Sequence, residues 1–420
     1  MSASTPSALP ESVYRQPGFL PFLISRVLAM FAVQILAVVV AWQVYDLTRD
    51  PLSLAYVGLA QFIPMLVLLM PAGDLIDRYD RKRILVLSWA LEALCAAALL
   101  WLSLSGGAVG GFYGVLVLYG CARAFTGPAL SSLLPQIVPR ERLAAAIAAN
   151  SMIVRGSTIA GPVFGGALFA LGGGGLTYAA CLVFFLTGIL LLRWVPVRYA
   201  EKMRALEATA WQRFTAGIHF IRSRPIILGT ISLDLFAVLL GGVVALLPIY
   251  AQEVLEVGPT GLGALRSAMA IGEVAVGFYL STRPFNRHVG MTMFLAVALF
   301  GVANLVFALS GWFWLSFLAL LVAGGADMVS MYIRSSLIQF STPDAMRGRV
   351  NAVNMLFIGS SNELGEFRAG TSAAWCGAVP AAVIGGLCTL GVTGGWMLAF
   401  KSLRQVDRFE DAAATPRVGA

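Results

Sequence analysis

Charged residues are scarce in this sequence: Asp, Glu, Lys and Arg make up 12% of its 420 residues, against about a quarter in soluble proteins. There are two histidines, and the five cysteines lie singly inside apolar runs without a CxxC pair. We therefore expect no disulfide framework, no metal site and no cofactor. The motifs HExxH, GxSxG and GxxxxGKS/T are also missing, so the sequence predicts neither an enzyme nor direct use of ATP.

Apolar residues are in excess, at 59% of the chain with a mean hydropathy of +0.82. Because about 20 apolar residues cross a bilayer as a helix, the chain has room for about a dozen spans and little else. The net charge of +8 is not arranged as a basic patch interleaved with aromatics, so no nucleic-acid partner is expected. The composition predicts an all-α polytopic membrane protein whose partners include the lipid bilayer.

Twelve apolar runs are long enough to cross the membrane. Backbone groups cannot stay unpaired in hydrocarbon and the runs lack the alternation of barrel strands, so each run is predicted to be a helix. The first six cover residues 19–45, 54–73, 84–104, 112–134, 143–171 and 176–197. The last six cover residues 226–250, 263–280, 291–309, 312–334, 350–370 and 374–400.

This order predicts two six-helix bundles, at 19–197 and 226–400, with tails at 1–18 and 401–420 and a linker at 198–225. The linker carries apolar residues at helical spacing opposite arginines, a pattern typical of a helix on a lipid surface. The apolar positions are Trp211, Phe214, Ile218 and Ile221, and the arginines are Arg213 and Arg222.

Lys and Arg concentrate in alternate connections between the spans. One set begins with the cluster at 78–83 and includes the linker, whereas the other holds little beyond Arg49 and Arg368. Because cytoplasmic loops retain positive charge, both termini are predicted to be cytoplasmic. The expected location is a cell membrane, the inner membrane of a bacterium.

The two halves are related by an internal repeat. A shift of 204 positions pairs Pro139 with Pro343 and Gly161 with Gly365, and it matches loops and helices in the same order. Two related halves in parallel orientation are typical of transporters whose substrate site lies between them near mid-membrane.

Three motifs carry a resemblance to the major facilitator superfamily, which implies twelve helices in two six-helix bundles acting as a monomer. Residues 73–83, GDLIDRYDRKR, resemble the GxLxDRxGRR loop that locks the cytoplasmic gate in that family. Asp80 departs from the pattern where the family often has Gly, and Gly73 is expected to allow a tight exit from the helix. The gating residues that the resemblance implies are Gly73, Asp77, Arg78, Arg81 and Lys82.

The other two motifs lie on the fourth and fifth spans. Residues 123–127, RAFTG, look like the RxxxG element that the family associates with proton coupling, which points to Arg123. Residues 156–166, GSTIAGPVFGG, look like the GPxxGG antiporter motif, in which small residues let helices approach and a proline bends the helix. The antiporter-motif residues are Gly156, Gly161, Pro162, Gly165 and Gly166.

Two further segments narrow the resemblance. Residues 44–48, VYDLT, and residues 362–367, NELGEF, are similar to the enterobactin-exporter-like branch of the superfamily. In that branch the resemblance implies proton-driven export of siderophores or drug-like molecules.

Ionisable residues inside the spans are candidates for the site, because each costs roughly 3 kcal/mol on insertion scales unless it has a partner, water or a function. The repeat puts Asp327 at the position equivalent to Arg123, so these two are candidate partners. Glu363 and Glu366 are three residues apart on one helical face, which suits a proton carrier or a pair that caps a water-filled crevice near the outer surface. The proton-coupling residues are therefore predicted to be Arg123, Asp327, Glu363 and Glu366, and the substrate cavity is predicted to contain Arg155 and Asp234.

Three other charged positions have simpler interpretations. Arg26 and Arg266 lie near helix ends, where long side chains extend to the membrane surface, and Glu92 is a possible static partner of Arg123. The function predicted from all these residues is a proton-coupled antiporter that exports a small molecule by alternating access. The alternative is a lipid or lysophospholipid translocator of the same fold, which the sequence does not separate from the first.

Overall fold

The computed structural model describes residues 13–197 and 210–412, which are helical with no strand in those two ranges. The first helices are α1 (Phe19–Thr48), α2 (Pro51–Arg78), α3 (Arg81–Ser105), α4 (Val109–Ile137), α5 (Leu143–Arg193) and α6 (Ala210–Arg222). They are followed by α7 (Pro225–Gly241), α8 (Leu247–Ile249), α9 (Gly258–Thr282), α10 (Val289–Leu309) and α11 (Phe313–Ser341). The last are α12 (Asp344–Cys376), α13 (Ala378–Ala399) and α14 (Lys401–Arg404). The predicted tails and linker fall partly outside the described residues.

The helices agree with the twelve predicted spans, provided that α5 is counted as two spans and the less apolar α12 is included. Ten segments of the described chain are long and apolar enough to cross a membrane. One is the 51-residue α5, which loses helical geometry at Gly172 and Gly173 and so forms two spanning arms. Gly173 has a φ of +60°, which favours glycine because it has no Cβ. The twelfth span is α12, which carries several charged residues and is therefore less apolar than the others.

The two bundles meet along two seams, α5 against α9 and α2 against α12. Small residues allow the helices to approach in both seams. A Cβ atom at Gly166 would collide with the carbonyl of Pro259, and one at Gly263 would collide with the carbonyl of Pro162. In the other seam Gly370 packs against Ala55. Close approach of this kind is how membrane helices associate without a hydrophobic driving force.

Both seams are tightest at one end of the molecule. We call this the opposite end, because it lies away from the basic end that carries Arg81, Lys82, Arg140, Arg193 and Arg347. Towards the basic end α2 and α12 are separated by a cavity of about 650 Å³, the apolar cleft. Residues that line the apolar cleft include Phe62, Met65, Leu66, Leu69, Met70, Met355 and Leu356.

The linker helix α6 differs from its prediction. Its apolar face packs against protein rather than lying free for lipid, because Ile221 is 2% exposed in a cluster with Val350 and Val353 of α12. Gly217 allows this packing, since a Cβ there would touch the Arg349 backbone. Trp211 remains exposed at the start of the helix.

The loop between α2 and α3 corrects the expectation for Gly73. Helix α2 continues through Gly73 and ends only at Arg78, so this glycine makes no tight exit and instead lines the apolar cleft. Asp80, at the position where the sequence departs from the GxLxDRxGRR pattern, is the N-cap of α3. Its backbone is extended, and its carboxylate accepts a hydrogen bond from the Arg83 backbone N–H at 3.0 Å. The side chain of Asp77 lies outside the described part of the structure.

The start of the C-terminal tail is anchored. Asp407 accepts hydrogen bonds from the backbone N–H of His288 at 2.9 Å and pairs with its Nδ1 at 3.0 Å. Glu410 accepts from the Asn286 amide at 3.1 Å. The loop before α10 is the second-half counterpart of the gate loop and has no aspartate of its own, so the tail provides its carboxylates.

Candidate functional site

A central cavity of about 420 Å³ lies between the two bundles. A smaller cavity of about 150 Å³ lies next to it, and the two cavities share the lining residues Gln34, Arg266 and Glu363. The carboxyl groups that border the central cavity are Asp234, Glu273, Asp327, Glu363 and Glu366. Ionisable groups concentrated at a bundle interface in the membrane mark a transport pathway.

The first part of the site is the carboxylate pair of α12. The Oε2 atoms of Glu363 and Glu366 would each lie 3.8 Å from a Cβ atom at Gly58 of α2, so both side chains point across the seam at the same place. Arg266 of α9 and Arg123 of α4 interact electrostatically with both carboxyl groups. The predicted common face is confirmed. The pair borders the central cavity rather than capping a crevice at the outer surface.

Arg266 contradicts its prediction. Its Nη1 donates to the Ala37 carbonyl of α1 at 3.2 Å, across the bundle interface, and the residue borders both cavities. The guanidinium therefore stays in the interior instead of extending to the membrane surface. Arg26 differs in the same way, because its Nε donates to the Asn150 side chain of α5 at 2.9 Å. Hydrogen-bond partners on neighbouring helices hold both side chains.

The second part of the site joins the bundles along α5 and α9. Arg155 Nη1 lies 2.8 Å from Glu273 Oε2, and Asp327 of α11 interacts electrostatically with both. The predicted pairing of Asp327 with Arg123 is wrong, because Arg123 faces the smaller cavity and the α12 carboxylates instead. Residues equivalent by the repeat therefore have different partners, which depend on the helices that meet across the interface.

A buried ion pair inside the second bundle forms the third part. Arg334 of α11 binds Asp234 of α7, with side-chain exposures of 3% and 8%. Asp234 borders the central cavity, and Arg334 compensates its charge, while its role in binding a substrate stays a prediction. Arg334 is absent from the buried charges proposed from the sequence, because the tenth span was predicted to end at this residue. In the structure α11 continues to Ser341, so Arg334 lies inside the helix. The available signal was its spacing of seven residues from Asp327, which puts both on one helical face.

Helix α7 is broken where the sequence predicts a continuous span. After Gly242 the chain continues as a 3-10 turn (Val244–Leu246), α8 and a π-helical turn (Tyr250–Val254). Arg368 of α12 donates to the Leu239 and Gly242 carbonyls at 3.3 and 3.2 Å, and Asn304 donates to the Gly241 carbonyl at 3.2 Å. Arg368, counted from the sequence as an outer charge, therefore satisfies the end of a broken helix.

The antiporter motif lies where α5 is packed between two helices. A Cβ atom at Gly161 would touch Gln34 of α1, one at Gly165 would touch Ile35, and Gly166 and Pro162 approach α9. Gly156 is exposed and has open space around it, so it has no such role.

Two of the predicted gating residues hydrogen-bond to backbone carbonyls of their own bundle. Arg81 donates to the Ser132 carbonyl at 3.1 Å, and Lys82 donates to the Val195 carbonyl at 2.8 Å. Arg78 is exposed. The contacts of Arg81 with Ser132 and of Lys82 with Val195 lie within the first bundle, which agrees with the separation of α2 from α12 towards this end.

Glu92 does not pair directly with Arg123 in the described structure. Its Oε1 accepts a hydrogen bond from Thr126 Oγ1 at 2.7 Å. The Arg123 guanidinium lies 6.0 Å from the centre of the Tyr119 ring, within cation–π range.

Comparison with known proteins agrees with this architecture. Residues 9–417 match the family model of transmembrane secretion effectors. The enterobactin exporter EntS of Escherichia coli O81 (strain ED1a) is 26% identical over 356 residues, 80% of each chain. A bacterial homologue of the iron transporter ferroportin, in an inward-facing state, has a TM-score of 0.70 at 19% identity and covers 92% of this chain and 99% of its own. A bacterial homologue of the human lysosomal transporter Spinster, inward-facing and unoccupied, has a TM-score of 0.69 at 16% identity. The match covers 97% of this chain and 99% of that protein.

Proposed function

Since this chain belongs to the transmembrane secretion effectors of the major facilitator superfamily, in the enterobactin-exporter-like branch, we propose that it is a proton-coupled antiporter. It exports a siderophore-like or drug-like small molecule by alternating access, as a monomer. The observation that carries the proposal is the central cavity, where acidic and basic side chains of the second bundle face Gln34, Thr158 and Pro162 of the first bundle between two seams of close-packed helices.

The balance of charge around the cavity supports coupling to protons. Five carboxyl groups border it, and four guanidiniums from the described residues border the two cavities or bind those carboxyl groups: Arg123, Arg155, Arg266 and Arg334. If all were ionised, one negative charge would remain uncompensated in the membrane interior, which is unfavourable. One bound proton removes that charge, and the adjacent Glu363 and Glu366 are its best carriers because they repel each other when both are ionised.

The contacts between the bundles support alternating access. At the opposite end, the glycine seams are reinforced by a hydrogen bond from the Tyr45 hydroxyl of α1 to Glu253 in the π-helical turn. We assign the basic end to the cytoplasm, because retained positive charge marks cytoplasmic loops. The conformation then faces inward, with the apolar cleft leading towards the cavity. Transport requires the seams at the opposite end to separate while Gly73, Asp77, Arg78, Arg81 and Lys82 engage the second bundle.

The substrate class follows from the two kinds of surface. The apolar cleft offers methionine and phenylalanine side chains, such as Met65 and Phe62, which adapt to irregular apolar bodies. The central cavity offers the guanidinium of Arg266, which recognises an anionic or zwitterionic group, and Arg155 binds Glu273, one of the carboxyl groups that border the cavity. An amphipathic molecule with an acidic group, such as a catecholate siderophore, satisfies both surfaces, and the similar protein EntS is named an enterobactin exporter.

The alternative function is translocation of a lipid or lysophospholipid. It is favoured by the apolar cleft, which separates α2 from α12 in the half of the molecule nearest the basic end. A translocator of this kind needs no proton gradient, whereas an antiporter does. Dissipation of the gradient therefore separates the two functions.

The test is proton flux in proteoliposomes that carry a pH gradient, on addition of a catecholate siderophore, a lipophilic cation or a lysophospholipid. We expect proton movement with one ligand, and its loss in Glu366→Gln. The matched control is Glu256→Gln, an exposed position away from the cavity. Absence of ligand-driven flux from folded protein would overturn proton coupling, and gradient-independent lysophospholipid movement would establish the alternative.

A further inference from the structure

Glu92 is a buried carboxyl group that the central cavity does not use. It lies in the middle of α3, is 0% exposed, and has no Lys or Arg within ion-pair distance in the described part of the chain. Thr126 hydrogen-bonds to Oε1, whereas Oε2 has no hydrogen-bond partner. A carboxyl group kept in such a place at the expense of stability calls for a function.

The Thr126 hydroxyl has one hydrogen and two acceptors. Its Oγ1 lies 2.7 Å from Glu92 Oε1 and 3.2 Å from the Ala122 carbonyl. When Glu92 is ionised, Thr126 donates to it. When Glu92 binds a proton on Oε1, this O–H donates a hydrogen bond to Thr126 Oγ1, and the threonine hydroxyl turns to donate to the Ala122 carbonyl. Thr126 Oγ1 and Glu92 Oε1 therefore stay hydrogen-bonded to each other in both protonation states, without movement of a heavy atom.

Arg123 connects this carboxyl group to the interface between the bundles. It lies one turn before Thr126 on α4 and interacts electrostatically with Glu92 on one side. On the other side it borders the smaller cavity together with Glu363 and interacts with Glu366. One guanidinium is thus shared between a carboxyl group inside the first bundle and the carboxylate pair of the second.

We propose that Glu92 and Thr126 form a second proton-binding site, inside the first bundle, which acts on the α12 carboxylates through Arg123. An ionised Glu92 draws the charge of Arg123 into the first bundle, and a protonated Glu92 leaves that charge to Glu363 and Glu366. The exchange of Arg123 between these partners changes how strongly the bundles attract each other. This inference rests on the proposed function for its role in transport, but the binding of a proton is testable without transport.

The other titratable groups around Glu92 are few. From α4 they are Arg123 and Tyr119, and from α3 itself Cys95. From α5 the nearest contribution is Cys181, which interacts with Tyr119 rather than hydrogen-bonding to the carboxyl group. Arg123 is the sole cation in this set of described groups, so the response of the site to pH passes through it.

The experiment is infrared difference spectroscopy of the purified full chain during acidification. We expect a carbonyl band of an un-ionised carboxyl group that disappears in Glu92→Gln and changes frequency in Thr126→Val. Thr126→Ser, which keeps the hydroxyl, should restore the wild-type frequency. Glu366→Gln is the matched control and should remove a different band.

The outcomes separate the second site from the proposed antiport. A band unchanged in Glu92→Gln and in Thr126→Val overturns the second site, even if substrate still drives proton flux. If Glu92→Gln does not fold, the Thr126→Val and Thr126→Ser pair decides, because a merely structural threonine would not move a carboxyl band. A band that responds as expected, in protein without any substrate-driven flux, leaves the proton site in place and overturns the antiport.

Discussion

The buried ion pair between α7 and α11 offers the sharpest test of the energetics. Asp234→Asn leaves the Arg334 guanidinium buried without a counter-charge, since the two side chains are 8% and 3% exposed. Loss of one partner of a buried pair typically destabilises by about 3–5 kcal/mol, because the remaining charge keeps its desolvation cost. We expect that range for the free energy of unfolding of Asp234→Asn.

The double variant Asp234→Asn/Arg334→Met should be much more stable than the single one. Removing both charges also removes both desolvation penalties, so the loss should be no more than about 2 kcal/mol. The assay is reversible unfolding by SDS in mixed micelles, followed by circular dichroism. Asp46→Asn is the control, because Asp46 forms an exposed ion pair with Arg49 at 2.7 Å, which contributes at most about 1 kcal/mol.

Two results would refute this reasoning. One is a loss in Asp234→Asn no larger than that of the surface control. The other is a double variant whose loss equals the sum of the two single variants, because a pair that interacts strongly is not additive.

Two further predictions concern the opposite end. Tyr45→Phe removes the hydrogen bond to Glu253 and should favour separation of that end by about 10- to 150-fold, since a hydrogen bond to a charged group contributes about 1.5–3 kcal/mol. Spin-label distances across the end report this, and unchanged distances relative to the exposed control Tyr79→Phe would contradict it. Gly166→Val should keep α5 and α9 apart and abolish transport, whereas Gly156→Val, in open space within the same motif, should transport normally. Equal activity of the two glycine variants in the flux assay would show that close approach is not required.

Much of the architecture could be predicted from local properties of the sequence. The span count depends on apolar length, which the bilayer thickness sets for each segment separately. The common face of Glu363 and Glu366 depends on helical spacing alone. The cytoplasmic assignment, which stays a prediction, depends on counting arginines and lysines in neighbouring loops. The antiporter motif is likewise readable in one segment, although only the structure separates Gly156 from its packed neighbours.

The partners of the charged residues were decided by tertiary structure. Arg155 finds Glu273 at a separation of 118 residues, Asp234 finds Arg334 in another helix, and Arg368 satisfies the break in α7. The sequence determined that these charges lie in the membrane and that each needs compensation. Which group compensates each one depends on which helices pack together, because the interaction between two charges falls with their distance in space, whatever their distance along the chain.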